Sequence, residues 1–138
     1  MAPADAPAII LRAHPGAPPE TIAAFAHGCE EMGVPLRVMI ADGAAGDLAE
    51  RAAQESPLGV GAGIDDHGWL GIAVARQGPP RLVLHCAQPD GALCRLAGSD
   101  AGRLVLGLPL RALAACATGQ ERGSFGGGML KRRETRGN

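Results

Sequence analysis

The sequence predicts a single three-layer α/β domain with a mixed or mostly parallel sheet. Three observations lead to this fold class. The chain has 138 residues, 46% of them hydrophobic, which is enough for one compact domain with its own core. Only 2% are aromatic, so the core must consist mainly of Ala, Val, Leu and Ile. Apolar and amphipathic segments alternate in the order β-α-β-α-β-β-β-α, which is typical of strands joined through helices that pack on a sheet.

The first half of the chain contains two predicted strand–helix pairs. Residues 8–13 are a short apolar run, and the prolines at 18 and 19 suit the first turn of a helix. A helix over residues 21–32 is predicted by apolar side chains spaced three and four apart and by a glycine stop: Ile22, Phe25, Cys29, Met32 and Gly33. Residues 35–41 form the second predicted strand and residues 47–55 the second helix. The first strands are therefore expected to be parallel.

The second half of the chain predicts an antiparallel hairpin. Two strand candidates, residues 59–64 and 69–75, are separated only by the sequence Asp-Asp-His-Gly, which suits a hairpin turn. The remaining predicted elements are a strand over residues 81–87, a loop over residues 89–94, and a helix that starts at an N-cap, Ser99 or Asp100, and ends at Gly107.

The predicted domain covers residues 1–118, with a loose N-terminus at residues 1–7. Residues 119–138 are expected to form a flexible basic tail, because Gly, Ser and charged residues dominate them. From Gln120 onward the net charge is +3, which leaves −4 on the rest of a chain whose total is −1. The chain as a whole therefore has no general attraction for nucleic acid or for an anionic membrane.

The chain is expected to be cytoplasmic. It shows no basic region followed by an apolar one, as a signal peptide would have, and no apolar run of membrane-spanning length. Its four cysteines include no C-x-x-C pair. Reduced thiols are the expectation that follows from this pattern.

The glycines at Gly59, Gly61 and Gly63 raise the question of a phosphate-binding loop. Such a loop needs its glycines between a strand and a helix, so that the phosphate meets the helix N-terminus. Here the glycines lead into a hairpin, and no G-x-x-x-x-G-K-[ST] motif is present. Because alternate residues of a strand share a face, the three glycines predict a bare face that a helix or a partner chain can approach closely.

The hairpin turn offers a second candidate site at Asp65, Asp66 and His67. Two carboxylates and an imidazole could hold a metal or act as acid and base. The same residue types are favoured by plain turn chemistry. The sequence leaves both interpretations open, together with contact to a partner, since exposed turns often carry contacts.

Glu30 and Glu31 form a third candidate site, in the last turn of the first predicted helix. The helix dipole disfavours negative charge there, and His27 lies four residues before Glu31, on the same face. One interpretation is a solvated polar face. The other is a carboxylate that is presented to a metal or to a basic partner.

The sequence contains no convincing catalytic set. His85 and Cys86 are adjacent in a predicted strand and must point to opposite faces, so they cannot act as a nucleophile–base pair. No nucleophile elbow is present. A non-catalytic binding subunit is therefore predicted, with the alternative of a small stand-alone enzyme or metal-binding protein that uses the Asp65–Asp66–His67 turn.

Four segments carry a family resemblance: PAIILRA, GCEEMGVPLRV, ESPLGVGAGIDDHGWLGIAV and AGRLVLGLPLRAL. Together they extend over residues 7–113 and resemble the small subunit of the diol/glycerol dehydratase reactivating factor. The resemblance implies a fold similar to that of the dehydratase medium subunit. It also implies an ATP-dependent, chaperone-like complex in which this subunit exchanges with the dehydratase medium subunit, so that damaged adenosylcobalamin is released.

The resemblance further implies partners and a metal site. The partner would be a large ATPase subunit, in a hetero-oligomer of two large and two small subunits, with transient contact to the dehydratase. ATP or ADP and Mg²⁺ would act through the large subunit, and this chain alone would bind no cofactor. Glu31 matches a family glutamate that reaches toward the metal of the large subunit. The partner-interface candidates are His27, Glu30, Asp65 and His67.

Three matters stay open at this stage. The client could be a glycerol or a propane-1,2-diol dehydratase, and association with a bacterial microcompartment is not decided. The chain could also be a dehydratase medium subunit itself, although such a subunit is expected to be longer and to supply cobalamin-contacting segments.

Overall fold

A computed structural model describes residues 6–111 of the chain. These residues form five strands and three helices. The elements are β1 (Ile9–Ala13), α1 (Pro19–Glu31), β2 (Leu36–Ile40), α2 (Ala45–Glu55), β3 (Val60–Ile64), β4 (Leu70–Val74), β5 (Arg81–Cys86) and α3 (Gly91–Leu106). The predicted tail and the ends of the predicted domain lie outside the described residues.

The strands form one mixed sheet in the order β2-β1-β3-β4-β5. β1 pairs in parallel with both β2 and β3, whereas β3–β4 and β4–β5 are antiparallel. The predicted fold class, a three-layer α/β domain with a parallel part and a hairpin, is confirmed. Seven of the eight predicted elements agree with the structure within two residues at each end, and only the last helix does not.

The two faces of the sheet pack against different helices. Alternate strand residues such as Leu11, Ala62 and Ile72 form one core cluster with Phe25 of α1 and Ala97 of α3. The opposite face packs against α2 through a second, smaller cluster of Ala49, Ala53 and Ala73. The sheet is therefore the middle of three layers, as the sequence predicts.

The bare face predicted for β3 is where α2 lies. A Cβ atom on Gly61 would lie 2.1 Å from the Ala53 nitrogen, and one on Gly63 would lie 2.3 Å from the Ala45 oxygen. Gly59 was predicted to share this face, but it precedes β3, so that prediction was wrong. Its φ of +70° is left-handed, a conformation that glycine adopts at little cost. The backbone of α2 fills the space beside the other two glycines.

The predicted loop over residues 89–94 was wrong, because α3 begins there. Asp90 is the N-cap, and its carboxylate accepts a hydrogen bond from the Leu93 N–H at 2.8 Å. Ser99 and Asp100, predicted as N-caps, are buried in the middle of this helix. Glycine, serine and aspartate all have modest helix propensity, but packing of α3 on α1 overrides that preference.

Contact between the backbones of α1 and α3 explains why these weak helix formers are tolerated. A Cβ atom on Gly98 would lie 2.0 Å from the Phe25 carbonyl oxygen, and one on Gly28 would lie 2.0 Å from the Arg95 carbonyl oxygen. The Cys29 thiol also donates to the Gly98 carbonyl at 3.4 Å. Only glycine permits so close an approach.

Within residues 6–111, no helix has the length and apolar character that a membrane span requires.

Candidate functional site

Glu31 is the last residue of α1, and its side chain is exposed. The last turn of the helix contains no basic residue, so α1 itself provides nothing to offset a negative charge beside its C-terminal dipole. The compensating charge comes from α3. The Arg95 Nε donates to Glu31 Oε2 at 2.7 Å, and Arg95 Nη2 donates to the same oxygen.

The electrostatics of this pair keep Glu31 ionised. The hydrogen bond from Arg95 is the main cause that lowers the pKa of the Glu31 carboxyl, and the charges of Arg95, His27 and Arg111 act in the same direction. Among the described residues, no group donates a hydrogen bond to Glu31 Oε1. The site therefore presents an anionic carboxylate with one oxygen in an ion pair and the other available.

The glycine contact between the helices positions the pair. Gly28 lies one turn before Glu31, and its backbone touches the carbonyl of Arg95. That contact holds α3 against the C-terminal half of α1, so that the side chain of Arg95 reaches Glu31. His27 and Glu30 are exposed on the same half of α1. The structure thus brings the predicted residues His27, Glu30 and Glu31 together.

The Asp65–Asp66–His67 turn is a separate region at the other end of α1. Its Gly68 lies against Pro18, at the start of the helix, and α1 has 13 residues, a length of about 20 Å. The candidate partner residues therefore occupy two places on the molecule. Asp65 and His67 cannot join Glu31 in one metal site.

Asp65 serves the hairpin turn itself. It is buried, and its Oδ1 accepts hydrogen bonds from the backbone N–H groups of His67 at 2.9 Å and Trp69 at 3.0 Å. The side chains of Asp66 and His67 are exposed, with Oδ1 and Nε2 3.8 Å apart. Within residues 6–111, no three His, Cys, Asp or Glu side chains are grouped so that they could hold a metal ion.

Comparison with known proteins decides the family. The family described as dehydratase medium subunit matches residues 6–111, the same span that the structure describes. The chain belongs to the dehydratase medium subunit family. Among curated proteins, none matches the chain.

Two solved structures resemble this member of the dehydratase medium subunit family. One is described as glycerol dehydratase reactivase, with 29% identity, a TM-score of 0.71, and coverage of 76% of this chain and 96% of that one. The other is described as a diol dehydratase-reactivating factor complexed with ADP and Mg²⁺. It has 31% identity, a TM-score of 0.68, and coverage of 78% of this chain and 99% of that one. The resemblance predicted from four sequence segments is confirmed.

Sequence reasoning missed two residues of the Glu31 site in this family member. Arg95 lay between the predicted loop and the predicted start of the last helix, and Arg111 lies beyond the C-terminus of that helix. The spacing Gly98-x-x-x-Gly102 was the available signal, because small residues four apart let two helices approach closely. If the last predicted helix had been extended from Ser99 through Gly98 toward its N-terminus, it would have included Arg95.

The thiols and His85 give no sign of nucleophilic chemistry. Burial raises the pKa of Cys29 to about 12 and that of Cys94 to about 11, so both are protonated, poor nucleophiles at neutral pH. His85 packs against Trp69 with ring centroids 4.8 Å apart and ring planes tilted by 41°, and burial lowers the pKa of its imidazole. Cys29 and Cys94 are free cysteines.

Proposed function

We propose that the protein is the small subunit of an ATP-dependent, chaperone-like reactivating factor for an adenosylcobalamin-dependent diol or glycerol dehydratase. In this role it binds a large ATPase subunit and exchanges with the medium subunit of the dehydratase, so that damaged cobalamin can leave. The observation that carries the proposal is a double match. The family is that of dehydratase medium subunits, while the two similar structures are reactivases. Exchange of subunits requires that the dehydratase and the reactivating factor each contain a subunit of the same fold.

We assign ATP hydrolysis to the large subunit. The glycine-rich strand β3 is the most phosphate-loop-like segment of the sequence, but the backbone of α2 covers its glycines at Gly61 and Gly63. A phosphate could not reach the backbone N–H groups on that face. The similar diol dehydratase-reactivating factor is complexed with ADP and Mg²⁺, which supports nucleotide binding within the complex that we propose.

Glu31 is our candidate for contact with Mg²⁺ across the subunit interface. Mg²⁺ prefers oxygen ligands and is commonly held by one or two carboxylates. Glu31 supplies an exposed, ionised carboxylate with one oxygen that the described residues leave available. Because residues 6–111 contain no group of three potential ligands, Glu31 would be a single ligand and the large subunit would provide the others.

The first prediction tests this function by replacing Glu31 with Gln. We expect Glu31→Gln to bind the large subunit more weakly in Mg²⁺ and to lose most of its dependence on Mg²⁺, because the amide keeps the shape but not the charge. The measurement is the dissociation constant of the two subunits, with ATP present, as a function of Mg²⁺ concentration.

Glu30→Gln is the matched control, since it removes a neighbouring exposed carboxylate from the same helix end. It should retain the Mg²⁺ dependence of the wild type. If Glu31→Gln also retained that dependence, the metal role of Glu31 would be wrong. If the wild-type chain did not bind the large subunit at all, the proposed function itself would be wrong.

A further inference from the structure

We propose that Arg95 is an exchangeable counter-ion that competes with the partner's metal for Glu31 and so sets the Mg²⁺ concentration at which the subunits assemble. This inference rests on the proposed function, because it concerns the same carboxylate. It adds Arg95, a residue of α3 that opposes assembly and does not promote it.

The pair has the character of a contact that can open. The exposed fractions of the two side chains are 56% for Arg95 and 45% for Glu31. Ion pairs that are this accessible to water contribute little to stability, so little free energy is lost when one opens. The helices do not depend on the pair, because Gly28 and Gly98 already hold their backbones in contact. Arg95 can therefore leave Glu31 without disturbing the fold.

The pair also conflicts with a metal ion. Both Arg95 nitrogens bind one oxygen of the carboxylate, Oε2. A divalent cation at the other oxygen would lie close to the guanidinium, and two positive groups at such a distance repel each other. Arg111 adds positive charge near the same carboxylate. Before assembly these groups neutralise Glu31, and a metal must displace or oppose them.

The conflict gives Arg95 a direction of effect that a purely structural role would not have. A residue that merely holds Glu31 in position would weaken assembly when it is removed. A competing counter-ion would strengthen assembly when it is removed, and only in the presence of a metal that uses Glu31. The sign of the change therefore distinguishes the two roles.

The second prediction uses Arg95→Gln, which keeps the length of the side chain but removes its charge. We expect the Mg²⁺ concentration that gives half-maximal binding of the large subunit to fall by about two- to fivefold, the range that corresponds to an exposed ion pair. The measurement is the Mg²⁺ titration of subunit binding described for Glu31→Gln. Arg51→Gln is the matched control, because it removes an exposed arginine from α2, on the other face of the sheet. It should leave the midpoint unchanged.

The double variant Glu31→Gln/Arg95→Gln separates this inference from the proposed function. We expect it to behave as Glu31→Gln alone, because Arg95 acts only through Glu31. An unchanged or higher midpoint in Arg95→Gln, with Glu31→Gln still impaired, would overturn the counter-ion role and leave the metal role intact. Wild-type Mg²⁺ dependence in Glu31→Gln would instead contradict the metal role itself.

A second readout uses the isolated chain and needs no partner. In NMR titrations, the pKa of the Glu31 carboxyl should rise in Arg95→Gln relative to the wild type, because the charge that stabilises the ionised form is gone. An unchanged pKa would show that the pair does not form in solution, and it would overturn the proposal.

Discussion

At the scale of single residues, two carboxylates in this chain illustrate opposite uses of the same group. Asp65 is buried, and its carboxylate accepts hydrogen bonds from two backbone N–H groups of its own turn. Glu31 is exposed and contacts a side chain from another helix. A carboxylate that accepts local backbone hydrogen bonds specifies a turn. One that is exposed and paired across elements can exchange its partner, and for this reason the functional proposal concerns Glu31.

The third prediction tests the structural role of Asp65. Asp65→Ala should lower the free energy of unfolding by about 1–3 kcal/mol, because two N–H groups of a half-buried turn lose their acceptor. The measurement is urea unfolding of the isolated chain. Asp66→Ala, which changes the exposed neighbour, should alter this free energy by about 0.5 kcal/mol or less. Equal effects of the two substitutions would contradict the assignment of Asp65 to the turn.

At the scale of secondary-structure elements, the contact between α1 and α3 organises the candidate site. Gly28 and Gly98 allow the two backbones to touch, and the ion pair of Glu31 with Arg95 follows from that approach. Gly102 continues the contact, since a Cβ atom there would lie 2.6 Å from the Cβ of Met32. Substitution at these glycines therefore affects both the stability of the domain and the geometry of the site.

The fourth prediction concerns Gly98→Ala. Its Cβ would lie 2.0 Å from the backbone oxygen of Phe25, and a backbone atom cannot move aside as a side chain can. The helices must separate, so we expect a loss of more than about 3 kcal/mol in the free energy of unfolding, or failure to fold. Gly91→Ala in the first turn of the same helix has open space around its Cβ. That variant should be as stable as the wild type or slightly more stable, as measured by urea unfolding. Similar stability of the two variants would show that α1 and α3 do not pack this closely.

The same helix shows what the sequence could and could not predict. The strands and the first two helices were predictable, because apolar periodicity and turn residues agree with their tertiary environment. The start of α3 was not, because Gly98, Ser99 and Asp100 favour a helix end when considered alone. Their burial against α1 is a long-range effect. Glu30 and Glu31 were singled out by their unfavourable position in the helix dipole, and the family resemblance selected Glu31. Its partner Arg95 lies in the N-terminal part of α3, which the sequence did not predict.

At the scale of the whole molecule, the sheet and its helices divide the candidate contacts between two ends. Glu31 and its basic neighbours lie at the C-terminal end of α1, and the Asp65–His67 turn lies beside its N-terminal end. An assembly that used both would have to contact the domain over the length of α1. The family match over residues 6–111 includes both regions. We therefore treat the whole domain, rather than one loop, as the unit that would exchange between complexes.

The fifth prediction concerns the boundary of that unit. A chain that ends at residue 118 should retain the melting temperature of the full chain and its Mg²⁺-dependent binding to the large subunit. The similar reactivase chains are covered over 96% and 99% of their lengths by 76% and 78% of this chain, and the family match ends at residue 111, so the residues beyond 118 lie outside the matched domain. Thermal unfolding and subunit binding of the two lengths provide the test. A large loss of either property would place essential contacts beyond residue 118.

A shorter chain that ends at Gly107 provides the contrasting case. The buried carboxylate of Asp100 accepts hydrogen bonds from the Arg111 backbone N–H at 2.9 Å to each oxygen. Without residue 111, a buried side chain in the middle of α3 loses this hydrogen-bond donor, at a cost of about 1–3 kcal/mol. We expect a clear fall in melting temperature for this chain and none for the chain that ends at residue 118. Equal stability of the two would mean that Arg111 does not anchor the segment that follows α3, and that the domain ends at the helix itself.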